Sequence, residues 1–182
     1  MIIKVKEFVK GLYTEALDEK GNKATFVNPK GDCIDLRAAA DYVFSSPIAN
    51  TLQQKYGVKT RNVVFDHKLI KLGIAMQLPK GFVAVVKQRS STTKKFKVVM
   101  ASSGFIDNSY CGDKDEWGFY CVAIDDTIIH KGDRICQFEI RPSQFATVWQ
   151  KIKWLFTKNI KFVFVDHLDG KDRGGHGSTG VK

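Results

Sequence analysis

The chain has 182 residues, enough for one domain with its own core and short for two. Its 43% hydrophobic and 12% aromatic content excludes a disordered chain, and no apolar run reaches the length of a membrane span. The formal charge of +10 is spread without a block of five or six like charges; it favours any anionic ligand, nucleotides included, or simply a solubilising lysine-rich surface, and does not decide between them, while direct nucleic-acid binding lacks an aromatic platform interleaved with a basic stripe.

The first residues, MIIKVKEFVKGLY, alternate apolar with charged side chains instead of forming a signal peptide, and a soluble cytoplasmic protein is expected. Short β-type runs follow at Ala24–Val27, Val63–Phe65, Leu72–Gln77, Val83–Lys87, Lys97–Ala101, Gly118–Ile124, Arg134–Ile140 and Phe162–Val165, most of them bounded by turn residues. This spacing predicts an all-β barrel or sandwich. Two segments depart from it. Residues 38–56 predict a helical insert, with Ser46 as cap, Pro47 at the first helical position, and Ile48, Leu52 and Tyr56 on one stripe before Gly57. In Pro142–Asn159, the residues Phe145, Val148, Trp149, Ile152, Leu155 and Phe156 recur at three- and four-residue steps. They predict a helix over about 142–158 whose apolar face packs on the core. Cys33, Cys111, Cys121 and Cys136 form no CxxC pair, the four histidines are dispersed, and all four cysteines are read as reduced thiols.

Five segments carry chemistry. Gly31–Ala38 sets Asp35 among apolar residues, where a carboxylate needs a partner such as Arg89, or water around a metal ion. Arg89-Ser90-Ser91 leaves the end of a strand with a guanidinium and two hydroxyls, a set suited to polyphosphate. Gly104–Gly112 reads as a hairpin turn carrying the Asp107 carboxylate and the Tyr110 ring. Lys131–Phe138 is a turn entering a strand, with Gln137 as an amide donor. Asp172–Gly180 surrounds Arg173, His176, Ser178 and Thr179 with four glycines, and glycine backbone approaches phosphate closely.

In this order DLRA, RSS, GFIDNSYCG, KGDRICQ and DRGGHGSTG resemble the five signature motifs of the trimeric all-β dUTP pyrophosphatases (dUTPases), over about residues 31–180. LGIAMQLPKGF and YCGDKDEW are similar to the forms in Gram-positive bacteria and their phages. The resemblance implies an all-β, distorted barrel or jelly-roll-like fold with one or two short helical inserts, assembled as a homotrimer. It implies a single domain over 1–171 and a flexible arm, 172–182, closing over the active site.

The implied reaction is hydrolysis of dUTP to dUMP and pyrophosphate with Mg²⁺ on the triphosphate. Asp107 matches the aspartate that activates water, and Tyr110 the tyrosine beneath the deoxyribose. The backbone of Gly104, Phe105 and Ile106 matches the uracil-reading strand. Arg89, Ser90, Ser91 and Gln137 match phosphate-binding residues; Arg173, His176, Gly177, Ser178 and Thr179 match the arm. Asp35 is carried as a metal residue acting through water. In the family each site draws on three subunits, the Asp107 hairpin, the phosphate loops and the tail coming from different copies.

The chain departs from the family pattern at Cys33 (usually glycine), at His176 (usually a uracil-stacking phenylalanine) and after Ser91. Two rival readings stand beside it. A dCTP deaminase of the same fold would use Glu116, nine residues beyond Asp107, as its base. A regulatory protein on a dUTPase scaffold would capture a protein partner through the 38–56 insert.

Overall fold

The structure, a computed structural model, describes residues 1–17, 21, 23, 26, 27, 31–55, 57–157 and 159–175, with backbone alone for 50–55 and 58–61. Ala24 and Thr25 of the Ala24–Val27 run, Tyr56 and His176, Gly177, Ser178 and Thr179 lie outside the described residues. In chain order the elements are β1 (Ile2–Glu7), β2 (Ile34–Arg37), β3 (Tyr42–Phe44), β4 (Ile48–Lys55), β5 (Val58–Val64), β6 (His67–Lys71), β7 (Ile74–Gln77) and β8 (Phe82–Gln88). Then come α1 (Thr92–Phe96), β9 (Val98–Met100), β10 (Gly104–Asp107), β11 (Gly118–Ala123), β12 (Thr127–Ile129), β13 (Arg134–Pro142), α2 (Val148–Leu155) and β14 (Lys161–Val165).

Period-two alternation drives most strands. In β1 Ile3 and Val5 are buried while Ile2 is exposed; in β11 Phe119, Cys121 and Ala123 point inward. The strands form a four-stranded sheet β10-β8-β13-β2, three-stranded sheets β14-β1-β7 and β6-β11-β9, and two-stranded ribbons β12-β3 and β4-β5. Their inner faces meet over a core in which Trp117 stands edge-on to Phe138, with ring centroids 5.2 Å apart. Gly73, between β6 and β7, has φ +67°, and a Cβ there would press on Leu12 Cδ2. Only glycine takes that corner without strain.

The all-β expectation holds, with two corrections. Residues 38–56 are not helical: β3 pairs with β12, and β4 folds back on β5 as an antiparallel hairpin. Ser46 does not cap a helix; its Oγ accepts from the Asp126 N–H, tying the insert to the β12 side. Gly57 (φ +77°) is the turn of the hairpin, and the β-branched residues Val58, Thr60, Val63 and Val64 supply the partner strand that the three-residue stripe did not foresee.

The second correction concerns α2. Thr147 and Gln150 form a capping box that starts the helix, and Gln150 Nε2 also donates to the Lys80 carbonyl at 2.8 Å. Trp154, one turn on, lies against Phe82 with ring centroids 5.6 Å apart. The docked side is therefore the Gln150–Trp154 face. The expected inward stripe of Phe145, Val148, Trp149, Leu155 and Phe156 is exposed, because the Lys80–Phe82 ledge receives only the opposite face.

Candidate active site

Asp107 is the last residue of β10, which pairs antiparallel with β8 and sets Asp107 opposite Val83. The chain then turns, with the Tyr110 N–H donating to the Asp107 carbonyl at 3.1 Å. Ser109 donates to Asp107 Oδ1 through its backbone N–H, at 2.8 Å, and through its hydroxyl. Arg173 Nη1 meets Oδ2 at 2.6 Å. Partial burial pushes this carboxyl up, but the Ser109 and Arg173 hydrogen bonds outweigh it and hold Asp107 below the usual carboxylate range. The outcome is an ionised carboxylate, with both oxygens oriented, on the wall of a groove of about 890 Å³. Lys80, Phe105, Arg141 and Phe145 line the same groove, whose volume suits a small-molecule ligand.

Tyr110 is anchored by its hydroxyl, which donates to the Glu116 carbonyl at 2.9 Å. A Cβ on Gly175 would come within about 3.0 Å of that hydroxyl oxygen, so the tail passes close along the Tyr110 ring. The expected paired hairpin is absent: Gly104, Phe105 and Ile106 face β8, whereas β11 pairs with β6 and β9 in another sheet.

The phosphate-type residues gather elsewhere on the four-stranded sheet. Arg89, just beyond β8, meets Asp35 Oδ1 through Nε at 2.8 Å and donates from Nη1 to the Arg134 carbonyl at 2.8 Å. Arg134 Nη1 meets Asp35 Oδ2 at 3.2 Å. Gln137 stands on β13 between Lys87 and Asp35 in register. Ser90 is exposed and Ser91 precedes α1, leaving two hydroxyls beside the guanidinium. Asp35 thus finds the arginine partner its sequence context required, and a second one. With a guanidinium on each oxygen it does not fit a resident metal, and among the described residues no three His, Cys, Asp or Glu side chains cluster as metal ligands.

Within one chain Asp107, Tyr110 and Arg173 come together, where the resemblance implied that the hairpin and the tail come from different copies, and separately Arg89, Asp35 and Gln137. It does not join the two groups. Asp107 is opposite Val83 and Gln137 opposite Lys87, four residues along β8, or about 13 Å at ~3.3 Å per residue.

Sequence reasoning gave Asp113 and Asp115, in the loop between Tyr110 and β11, no role. Asp115 is buried and accepts from the backbone N–H groups of Gly112 (2.9 Å), Arg173 (3.0 Å) and Gly174 (3.0 Å). Asp113 accepts from Leu168 N–H at 2.7 Å and lies 2.8 Å from His167 Nδ1. The Asp-Lys-Asp run after Gly112 was the available signal, but acidic loop residues are usually solvated, and only the returning tail gives these a role. Glu116, the candidate base of the deaminase reading, accepts from the Gly73 N–H at 2.9 Å and faces Lys71, so it braces the β6–β7 corner.

The model of the dUTPase family matches residues 51–145. Over 154 residues, 84% of this chain and 87% of the relative, the chain is 42% identical to the SPbeta prophage-derived deoxyuridine 5'-triphosphate nucleotidohydrolase YosS of Bacillus subtilis. It is 33% identical to the deoxyuridine 5'-triphosphate nucleotidohydrolase of Hydrogenobaculum over 65% of this chain and 74% of that one. A mutant dUTPase from phage phi11 of S. aureus, described as coordinating a structural Mg(II) ion, shares the fold with a TM-score of 0.55 at 15% identity, covering 80% of this chain and 94% of that one. With the motif residues on one β scaffold and this degree of identity across most of its length, the chain belongs to the dUTPase family.

Proposed function

We propose that the protein hydrolyses dUTP, as its magnesium chelate, to dUMP and pyrophosphate. The observation that carries this reading is Asp107. It is held ionised at the end of β10, bordering a nucleotide-sized groove, with the arginine of the glycine-rich tail on its outer oxygen. Cleavage of a phosphoanhydride demands an oriented water and neutralised oxygens more than covalent help. An ionised aspartate accepts the proton of that water, and Arg173, displaced onto phosphate oxygens when nucleotide enters, frees Asp107 to do so. Mg²⁺ is bound largely by phosphates and water, so it arrives with the substrate and needs no cage of protein carboxylates. Tyr110, fixed through Glu116, presents a flat ring to the deoxyribose and disfavours a 2′-hydroxyl. Arg89, Ser90, Ser91 and Gln137 bind the β- and γ-phosphates.

Because Asp107 lies about 13 Å along the sheet from the phosphate residues, a triphosphate engaged by both needs groups from neighbouring copies, and we assign the assembly as a homotrimer. Among the described residues no helix is long and apolar enough to cross a membrane. Four free thiols suit a reducing compartment, and the cytoplasm is the proposed location. The test is pyrophosphate release with Mg²⁺ on dUTP, dCTP, dTTP and UTP. Release from dUTP alone is expected, with a loss of about 10²–10⁴-fold in Asp107→Asn. Conversion of dCTP to a uracil nucleotide would reassign the chain to the deaminases despite Glu116's engagement.

A further inference from the structure

The outer face of α2 carries more apolar surface than a chain on its own usually leaves in water. Phe145, Val148, Trp149, Leu155 and Phe156 are each between 70% and 85% exposed. From Val148 onward these residues and Ile152 fall at helical steps on one side. The helix is firmly held from its other side, by the capping box, the Gln150 bond to the Lys80 carbonyl and the Trp154–Phe82 contact. The patch runs on into the Asp107 groove, which Phe145 lines together with Phe105. Phe105 is itself 62% exposed, with the Arg141 guanidinium 5.5 Å from its ring centre. The four rings, at roughly 200 Å² each and about three quarters exposed, offer about 600 Å². Val148 and Leu155 bring the patch near the ~800 Å² that each partner gives to a standard interface, and monomers rarely expose contiguous apolar patches of that size.

We propose that this face is the seat of a second copy of the chain, which brings the Arg89–Gln137 end of its sheet to the Asp107 groove. Position favours a copy over any other occupant. Asp107 lies about 13 Å along the sheet from Gln137 of its own chain, at ~3.3 Å per residue, so the groove beside this patch is where a neighbour's phosphate residues are needed. The contact is heterologous, the α2 end of one copy against the Arg89 end of the next, and a ring of three repeats it at every copy. This seat rests on the homotrimer reading and adds where the neighbour sits; α2 lies beyond the residues 51–145 that match the family model.

The experiment is sedimentation velocity over a protein concentration series, without nucleotide, on the full-length chain and on its Trp149→Asp and Leu155→Asp variants. Both positions are 79% exposed, so the fold of the single chain does not depend on them. Wild type is expected to sediment as a trimer. Each variant is expected to dissociate, its assembly midpoint raised about 30-fold or more, with far-UV circular dichroism unchanged. Should an aspartate unfold the chain, the uncharged Trp149→Ser must dissociate it equally. Hydrolysis of dUTP by the variants is expected to fall on dilution and to recover as the concentration rises. Dissociated variants that keep full activity would overturn the neighbour's part in the site. Variants that stay trimeric at wild-type concentrations overturn the seat and leave the homotrimer standing, whereas a monomeric wild type overturns both. Trimeric variants that fail to co-float with phosphatidylcholine–phosphatidylglycerol vesicles, beside a wild type that does, would make the face a membrane contact instead. Because mass is read without nucleotide, a chain that failed to hydrolyse dUTP would refute the function and leave the seat standing.

Discussion

Asp107 shows how neighbours, not residue type, set a carboxylate's state. Partial burial works against its charge, yet two donors from Ser109 and the Arg173 guanidinium hold it below the usual carboxylate range. The sign of the consequence follows. A depressed folded value means that the stabilisation is complete above the unfolded value of about 3.9 and is lost as pH falls through the folded value. Arg173→Ala removes one of the lowering contacts, so the Asp107 titration, followed by side-chain carboxyl NMR, is expected to move upward toward the ordinary value. A titration that stayed in place would mean that Arg173 does not occupy Asp107 in solution. Asp35 is set differently, between Arg89 and Arg134, in an ion-pair brace with a guanidinium on each oxygen.

At the scale of elements, turns and short capping contacts decide what the periodicity left open. Gly73 joins β6 to β7 at positive φ with Leu12 against its α-carbon, while the Glu116 carboxylate holds its N–H. Gly73→Ala is expected to destabilise the fold by more than ~1 kcal/mol, through both the left-handed strain and the contact, measured as a lowered midpoint in urea. The stripe in α2 was legible, although the helix spans Val148–Leu155 rather than 142–158 because β13 runs to Pro142 and Thr147 caps the first turn, and amphipathicity does not say which surface a helix lies on. Gln150, reaching the Lys80 carbonyl, and Trp154, against Phe82, turn their own face inward and leave Trp149 in solvent. In the 38–56 segment the local stripe was outweighed by pairing: β4 has a β-branched partner strand two residues on, just past Gly57, and a long-range hydrogen-bonded ladder is available that a short isolated helix does not outcompete.

At the scale of the molecule, the four-stranded sheet carries Asp107 and Gln137 about 13 Å apart along β8. If neighbouring copies complete each site, chains carrying Asp107→Asn and chains carrying Gln137→Ala, each impaired alone, will regain dUTP hydrolysis when unfolded and refolded together. Mixed chains that stay as inactive as the separate variants would mean that one copy supplies both groups.

What the sequence by itself determined is the chemistry and the class. The five motifs that place the chain in its family were legible, because they are short and contiguous, and so was the need of Asp35 for an arginine partner. The β character was legible because alternation such as that of β11 is local. Only the tertiary structure decided which face of α2 is bound, that 48–64 is a hairpin, that Asp35 pairs with two arginines, and that Asp113 and Asp115 hold the tail. Those facts depend on groups far apart in the chain, Asp115 and Arg173 being 58 residues from each other, and no local pattern records which distant donor a carboxylate will meet.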